Sequence, residues 1–390
     1  MLQYGSRSVT TKPIRACIIA LLTCGYAVPL GACLWDYDTL LMERRQFPTA
    51  LNLITGKFLR HSPEFYRWRI ANRQERIQAN ADDPRLFDDL AVAYDKTGQH
   101  QLAIDTMLDK DRRFPGLYET FANLGTFYIH SGDLEEGLTW INKAIALNPN
   151  AHFGREVYQQ LLVRYVLSRI KPDETQPSLP LRSKNDGSMA SEDFASYVAK
   201  QHYGQSKLTE EQLAAAVKGV LGMMRFGHFD SPILLEALGD LLRRQEAKRL
   251  ATRAYLKASY ASKKPTVRTA YHQLAKKALR MQTPTKNSHR QLELQELESE
   301  FQTELNDAIS WYAVVEADEQ RWIAAGEDAD LQFKNKYYQA PTISTGGSTA
   351  ITQTRVRLLM IGVITCCALT IPTIWYLRKR SQRSPSIETE

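Results

Sequence analysis

Eight histidines and five cysteines are the side chains of this 390-residue chain best suited to metal binding or nucleophilic chemistry. The histidines are His61, His100, His130, His152, His202, His228, His272 and His289. None belongs to an HExxH motif or to another i, i+4 pair with metal-ligand logic, so no metal site is expected. His130, late in a helical segment, reads as a solvated side chain. The cysteines are Cys17, Cys24, Cys33, Cys366 and Cys367, and none falls between Leu34 and Thr365. That stretch therefore has no disulfide framework, cysteine zinc cluster or thiol nucleophile, and its stability must come from packing. Gly56-Lys57 lacks the upstream Gly and the following Ser or Thr of a phosphate loop. GxSxG is absent as well. Acidic pairs such as Asp82-Asp83 and Glu135-Glu136 are cap and surface material. Neither a catalytic constellation nor a cofactor is expected, and the chain does not read as an enzyme.

Composition bounds the alternatives. Hydrophobic residues make up 43% and charged residues 24%, which excludes wholesale disorder. A mean hydropathy of −0.38 excludes a polytopic membrane protein. The net charge of +7 points toward nucleic acid at first sight. Much of it lies at the ends, however, in Arg7, Lys12, Arg15, Arg378, Lys379, Arg380 and Arg383. Arg67-Trp68-Arg69 is explained by arginine stems packing on Trp along one helix face. Arg243-Arg244 and Lys263-Lys264 are isolated pairs, so no nucleic-acid partner is expected.

Residues 1–33 read as a signal peptide or signal anchor: Lys12 and Arg15 precede the uncharged apolar run Ala16–Ala32. Leu30-Gly31-Ala32-Cys33 resembles a bacterial lipobox, which makes Cys33 a candidate for lipidation. Leu358–Leu377 is uncharged over 20 residues, a length that spans ~30 Å as a helix and predicts a single transmembrane helix. A basic tail, 378–390, follows. Charges flanking both apolar segments place the middle of the chain outside the cytoplasm, at a cell membrane with one C-terminal pass.

The middle repeats itself with a period of 34. Phe87, Leu90, Ala91, Tyr94, Gly98 and Pro115 fall on Phe121, Leu124, Gly125, Tyr128, Gly132 and Pro149. Leu90, Ala91 and Tyr94 share one helical face. Asp83-Pro84 offers an N-cap and a first-turn proline, Gly98 and Gly132 end the first helices, and Pro115 and Pro149 stop the second. The pattern resembles the tetratricopeptide repeat, a helix–turn–helix unit, with two repeats over 84–151 and a degenerate third at 232–265. The third carries Leu235, Leu238-Gly239, Leu242, Ala251, Tyr255 and Ala258.

The rest of the chain is arranged around these units. Residues 34–83 form an irregular helical lead-in, 152–170 a capping helix and 171–190 a linker with three prolines. Helices resume over 191–287, where Thr209-Glu210-Glu211-Gln212 matches a capping box. Residues 288–338 predict one long amphipathic helix, packed back on the repeats or self-associating as a coiled coil. A tether follows at 339–357. The expected fold is all-α: a helical solenoid, a long C-terminal helix and the transmembrane helix.

The resemblance implies a binding scaffold whose first helices line a concave groove. The groove positions would be Arg85, Asp88, Val92 and Asp95 in the first repeat. In the second they would be Glu119, Ala122, Asn123, Thr126 and Ile129. Cochaperones of this family that grip a C-terminal carboxylate place Lys and Asn at such slots. Here Asp88 and Val92 occupy two of those slots and only Asn123 fits, which disfavours chaperone-tail binding. The expected function is a membrane-anchored scaffold that binds protein or peptide partners in a bacterial envelope. A non-catalytic subunit of an envelope enzyme or biosynthetic complex is the first alternative. A eukaryotic tail-anchored adaptor is the second, and the N-terminal signal argues against it.

Overall fold

A computed structural model describes residues 47–80, 82–182, 192–280 and 293–338. Among these residues there are fourteen α-helices and no strand. They are α1 (Ala50–Thr55), α2 (Pro63–Ala79), α3 (Pro84–Lys96), α4 (His100–Arg113), α5 (Tyr118–Ser131), α6 (Leu134–Leu147) and α7 (Arg155–Leu167). The series continues with α8 (Phe194–Tyr203), α9 (Glu210–Phe226), α10 (Pro232–Arg244), α11 (Lys248–Ala261) and α12 (Pro265–Arg280). It ends with α13 (Leu294–Ala324) and α14 (Ala329–Tyr337). The described residues up to Phe333 form one compact unit; of a second, only 334–338 are described.

Local chemistry starts these helices where the sequence indicates. The Asp83 side chain accepts from the Arg85 amide ahead of Pro84, and Ser62 accepts from the Phe65 amide ahead of Pro63. Thr209 and Gln212 exchange both bonds of a capping box. Each repeat pair, α3 with α4, α5 with α6 and α10 with α11, packs together. The approach of α5 to α6 depends on Gly125 and Gly137. A Cβ on Gly125 would meet the Ile141 side chain at 2.6 Å and its amide nitrogen at 3.0 Å. Leu124, Phe127, Met107 and Ala91 are fully buried in the core that these repeats share. A second, larger core joins α1, α5 and α6 to α7–α12 and to Phe301 and Leu305 of α13.

Several expectations change. The anticipated transmembrane helix is corrected: no helix among the described residues is long and apolar enough to cross a membrane. The segment to which it was assigned, 358–377, lies outside them. So do Cys33 with the rest of the signal-like segment, the tether and the basic tail. The described part of the 288–338 pattern, 293–338, holds two helices, because α13 ends at Ala324 and Gly326 takes φ 70°. This pair packs back onto α2: Glu319 of α13 meets His61 Nδ1 at 2.6 Å and accepts the Ser62 amide at 2.8 Å. Asp330 receives Arg69 and Arg73, and Arg73 Nε also donates to Asp89 at 2.8 Å.

The stretch read as a linker, 171–190, is described to Arg182, and there it is anchored. The Leu181 and Arg182 amides donate to Glu236 of α10 at 2.9 and 3.3 Å. The Phe194 amide donates to Asp240 at 2.9 Å. Leu181 is buried.

Candidate functional site

The positions expected to line an open groove are mostly inside the protein. Asp88, Val92, Asp95, Ala122, Asn123, Thr126 and Ile129 are all buried. Arg85 is exposed and paired with Asp83, its own cap, and Glu119 is half-buried. Each buried polar group has an internal partner. Lys110 Nζ reaches both Asp88 oxygens at 2.7 Å, and Asn123 Nδ2 donates to Asp88 Oδ1 at 3.3 Å. Burial pushes the Asp88 carboxyl up to about 7 against the pull of the Lys110 charge. Thr126 accepts from Gln159 of α7 at 3.3 Å. Ile129 lies against Gly137, where a Cβ would come within 2.6 Å of it. The inner face of the two repeats is thus closed by α7 and by the connection between α9 and α10.

That connection carries His228 to the end of the first helices. Lys96, in the last turn of α3, donates to the Gly227 carbonyl at 2.6 Å. The His228 ring meets His130 edge to face, with centroids 4.7 Å apart. His130 is therefore buried, which corrects its reading as a solvated side chain. Its Nδ1 lies 2.9 and 2.8 Å from the two oxygens of Asp95. His100 Nδ1 stands 2.8 Å from the same carboxylate. Burial raises the Asp95 carboxyl, but the His130 charge and the two imidazole hydrogen bonds outweigh it and hold the group well below the usual range. The Asp95 bond raises His100. Burial, together with the charges of His130 and Lys96, takes His228 well below its ordinary value.

Next to this cluster a cleft of about 330 Å³ stays open. The 57–62 turn, α2, α3, the α9–α10 connection and α13 all line it, through Phe58, Tyr66, Val92, Phe229, Tyr312 and other residues. Gly56, at φ 84°, lets the turn pass Phe229, whose ring a Cβ would meet at 2.8 Å. Arg60 lies over the Tyr312 ring, 3.4 Å from its centroid, and over Phe229 at 4.8 Å. The charged lining is basic: Arg60, Lys96 and Arg225 against Asp230 and Glu316, with His61 and His228 beside them. Burial lowers the Arg60 pKa, opposed by nearby Tyr312 and Glu316.

Only Val92 belongs both to the expected groove and to this cleft. The others come from the 57–62 turn, α2, the end of α3, the end of α9 with its connection to α10, and α13, and no single local periodicity marks them. His228 carries no spacing signal either, because its neighbours Asp95 and His130 come from separate repeats, themselves 35 residues apart.

A tetratricopeptide-repeat family model matches residues 118–151, which cover α5 and α6. No curated protein matches the chain. The chain therefore carries a tetratricopeptide repeat within an all-helical array, a type of repeat that generally mediates contacts between proteins.

Proposed function

We propose that this chain is a non-catalytic protein-interaction scaffold, and that the cleft is where it takes its partner. The observation that carries this reading is the closure of the repeats' inner face. With that face filled by α7 and the α9–α10 connection, the cleft is the concave surface that remains beside α3. Its aromatic walls and basic lining suit an extended partner segment carrying a carboxylate and an apolar or aromatic side chain. Arg60 and Arg225 would meet the carboxylate, and Phe58, Phe229 and Tyr312 the apolar group.

The test is selection of displayed random peptides on the full-length chain. Acidic peptides with an aromatic or apolar residue should be enriched. Arg225→Glu should weaken them by at least about tenfold, as loss of an interfacial charge partner does. Arg85→Glu, at the exposed end of the expected groove, should leave them unchanged. Enrichment that depends on Arg85 and ignores Arg225 would refute the cleft.

The same proposal places the scaffold on the outer side of a bacterial cytoplasmic membrane. Its support is the sequence of 1–33, where Lys12 and Arg15 precede an apolar run. A reporter inserted at Gly187 should be active only outside the cytoplasm; activity inside would reject this placement.

A further inference from the structure

Asp95, His130 and His228 bring one carboxylate and two imidazoles to a single point. One ligand atom from each lies within 4.8 Å of the others. The three side chains come from three places in the chain: the last turn of α3, the last turn of α5, and the α9–α10 connection. The side chains of Asp95 and His130 are fully buried. Among the described residues this is the one trio of metal-ligating side chains so arranged.

From these positions we propose that Asp95, His130 and His228 form a binding site for a divalent transition-metal ion of the zinc type. Zinc binds imidazole nitrogen and carboxylate oxygen at about 2.0–2.2 Å, so in a tetrahedral shell the ligand atoms stand roughly 3.3–3.6 Å apart. The trio, whose ligand atoms lie within 4.8 Å of one another, reaches that spacing by side-chain shifts on the order of 1 Å, the Asp95–His130 pair opening slightly from 2.8 Å. Two imidazoles with one carboxylate select zinc, cobalt or nickel over calcium and magnesium, which favour all-oxygen shells. The ion takes the place of the proton shared by His130 Nδ1 and Asp95, and that proton is released to solvent.

His100 has a different part. Its Nδ1 is 2.8 Å from Asp95 Oδ1, and it fixes the carboxylate from the outer side, as residues behind metal ligands do. Three protein ligands leave a fourth position to water or to a group that enters the cleft, since His228 lines both places. The site would also tie α3, α5 and the α9–α10 connection together through one ion.

The experiment uses the untagged full-length chain, stripped with a chelator and titrated with zinc alone in a calorimeter. One equivalent should bind. His228→Ala should weaken binding by about 100-fold or more, and His100→Ala by about tenfold, the range found for groups behind a ligand. His202→Ala, at an exposed position on another helix, serves as the control and should change nothing. His130→Ala opens a gap in the repeat core, so the deciding variant is His228→Ala, in a connection outside the helices; its circular dichroism should keep the helical content of the stripped wild type. The proposal is overturned if no stoichiometric zinc binds, or if His228→Ala binds zinc as the wild type does. In either case Asp95, His100 and His130 are a hydrogen-bonded network and nothing more.

Discussion

His228 meets His130 edge to face at 4.7 Å between ring centroids, although the two belong to different halves of the helical array. The contact is held from the side by Lys96, which donates to the carbonyl of Gly227. Through it a connection of the second half closes the inner face of the first. A single repeat pair cannot bury both of its faces, so some element must cover the one that its neighbour leaves open. Here the chain supplies that element itself, and the cleft is the surface proposed for a partner.

Asp88 gives the most direct check on the closed face. As the lining of an open groove it would tolerate change. Buried against Lys110, it should not: Asp88→Ala leaves an ammonium without its partner and should cost about 3–5 kcal/mol in urea unfolding. The paired change Asp88→Leu with Lys110→Met should recover most of that loss. Wild-type stability in the single variant would return Asp88 to the surface.

Gly125 tests the helix pairing within the second repeat. An added Cβ would be 3.0 Å from the Ile141 backbone nitrogen, which cannot rotate away. Gly125→Ala should therefore destabilise by about 1–3 kcal/mol, although alanine is the better helix former. A stabilised variant would mean that α5 and α6 stand further apart.

The repeats were legible because their signals are local. Leu90, Tyr94, Leu124 and Gly125 recur at a fixed offset, and Asp83-Pro84 and Ser62-Pro63 mark helix starts by chemistry confined to a few residues. The fate of the inner face was not legible. It depends on Lys110 on the next helix, on Gln159, and on His228, and no spacing within one repeat encodes them. The same holds for α13, whose Glu319 finds His61 from 258 residues away. The end of that helix did carry a signal, Gly326, which the long apolar pattern masked. The expected membrane span rested on the uncharged run 358–377 and its basic flank, which lie outside the described residues, and no described helix supplies one.

Stability should depend on pH through Glu236. Burial and the charge of Asp240 push its carboxyl up to about 7, against Arg182 and the hydrogen bonds from Leu181 and Tyr271. The folded chain holds this proton more tightly than the unfolded chain, where the carboxyl keeps its ordinary 4.5. The contribution is full below 4.5 and is lost as pH rises to about 7. Glu236→Gln, which mimics the protonated group, should flatten the melting temperature across that window. Asp88, raised for a similar reason, keeps a share of the slope. An unchanged slope would remove Glu236 as its source.

Glu319 anchors α13 on the turn before α2. Glu319→Ala leaves the Ser62 amide and His61 without their acceptor and should destabilise by about 1–3 kcal/mol. Limited proteolysis should then cut within 293–324 sooner than in the wild type. Equal protection would show that α13 is held by its apolar contacts alone.

Which concave surface takes the partner is the central question, and site-specific photo-crosslinking measures it directly. A photoreactive residue is placed at Asp230, on the rim of the cleft, or at Arg85, on the outer end of α3, in the full-length chain within its own cells. A cleft that takes the partner predicts a discrete adduct from position 230 that disappears with Arg225→Glu, and none from position 85. Adducts from position 85 with none from position 230 would contradict it.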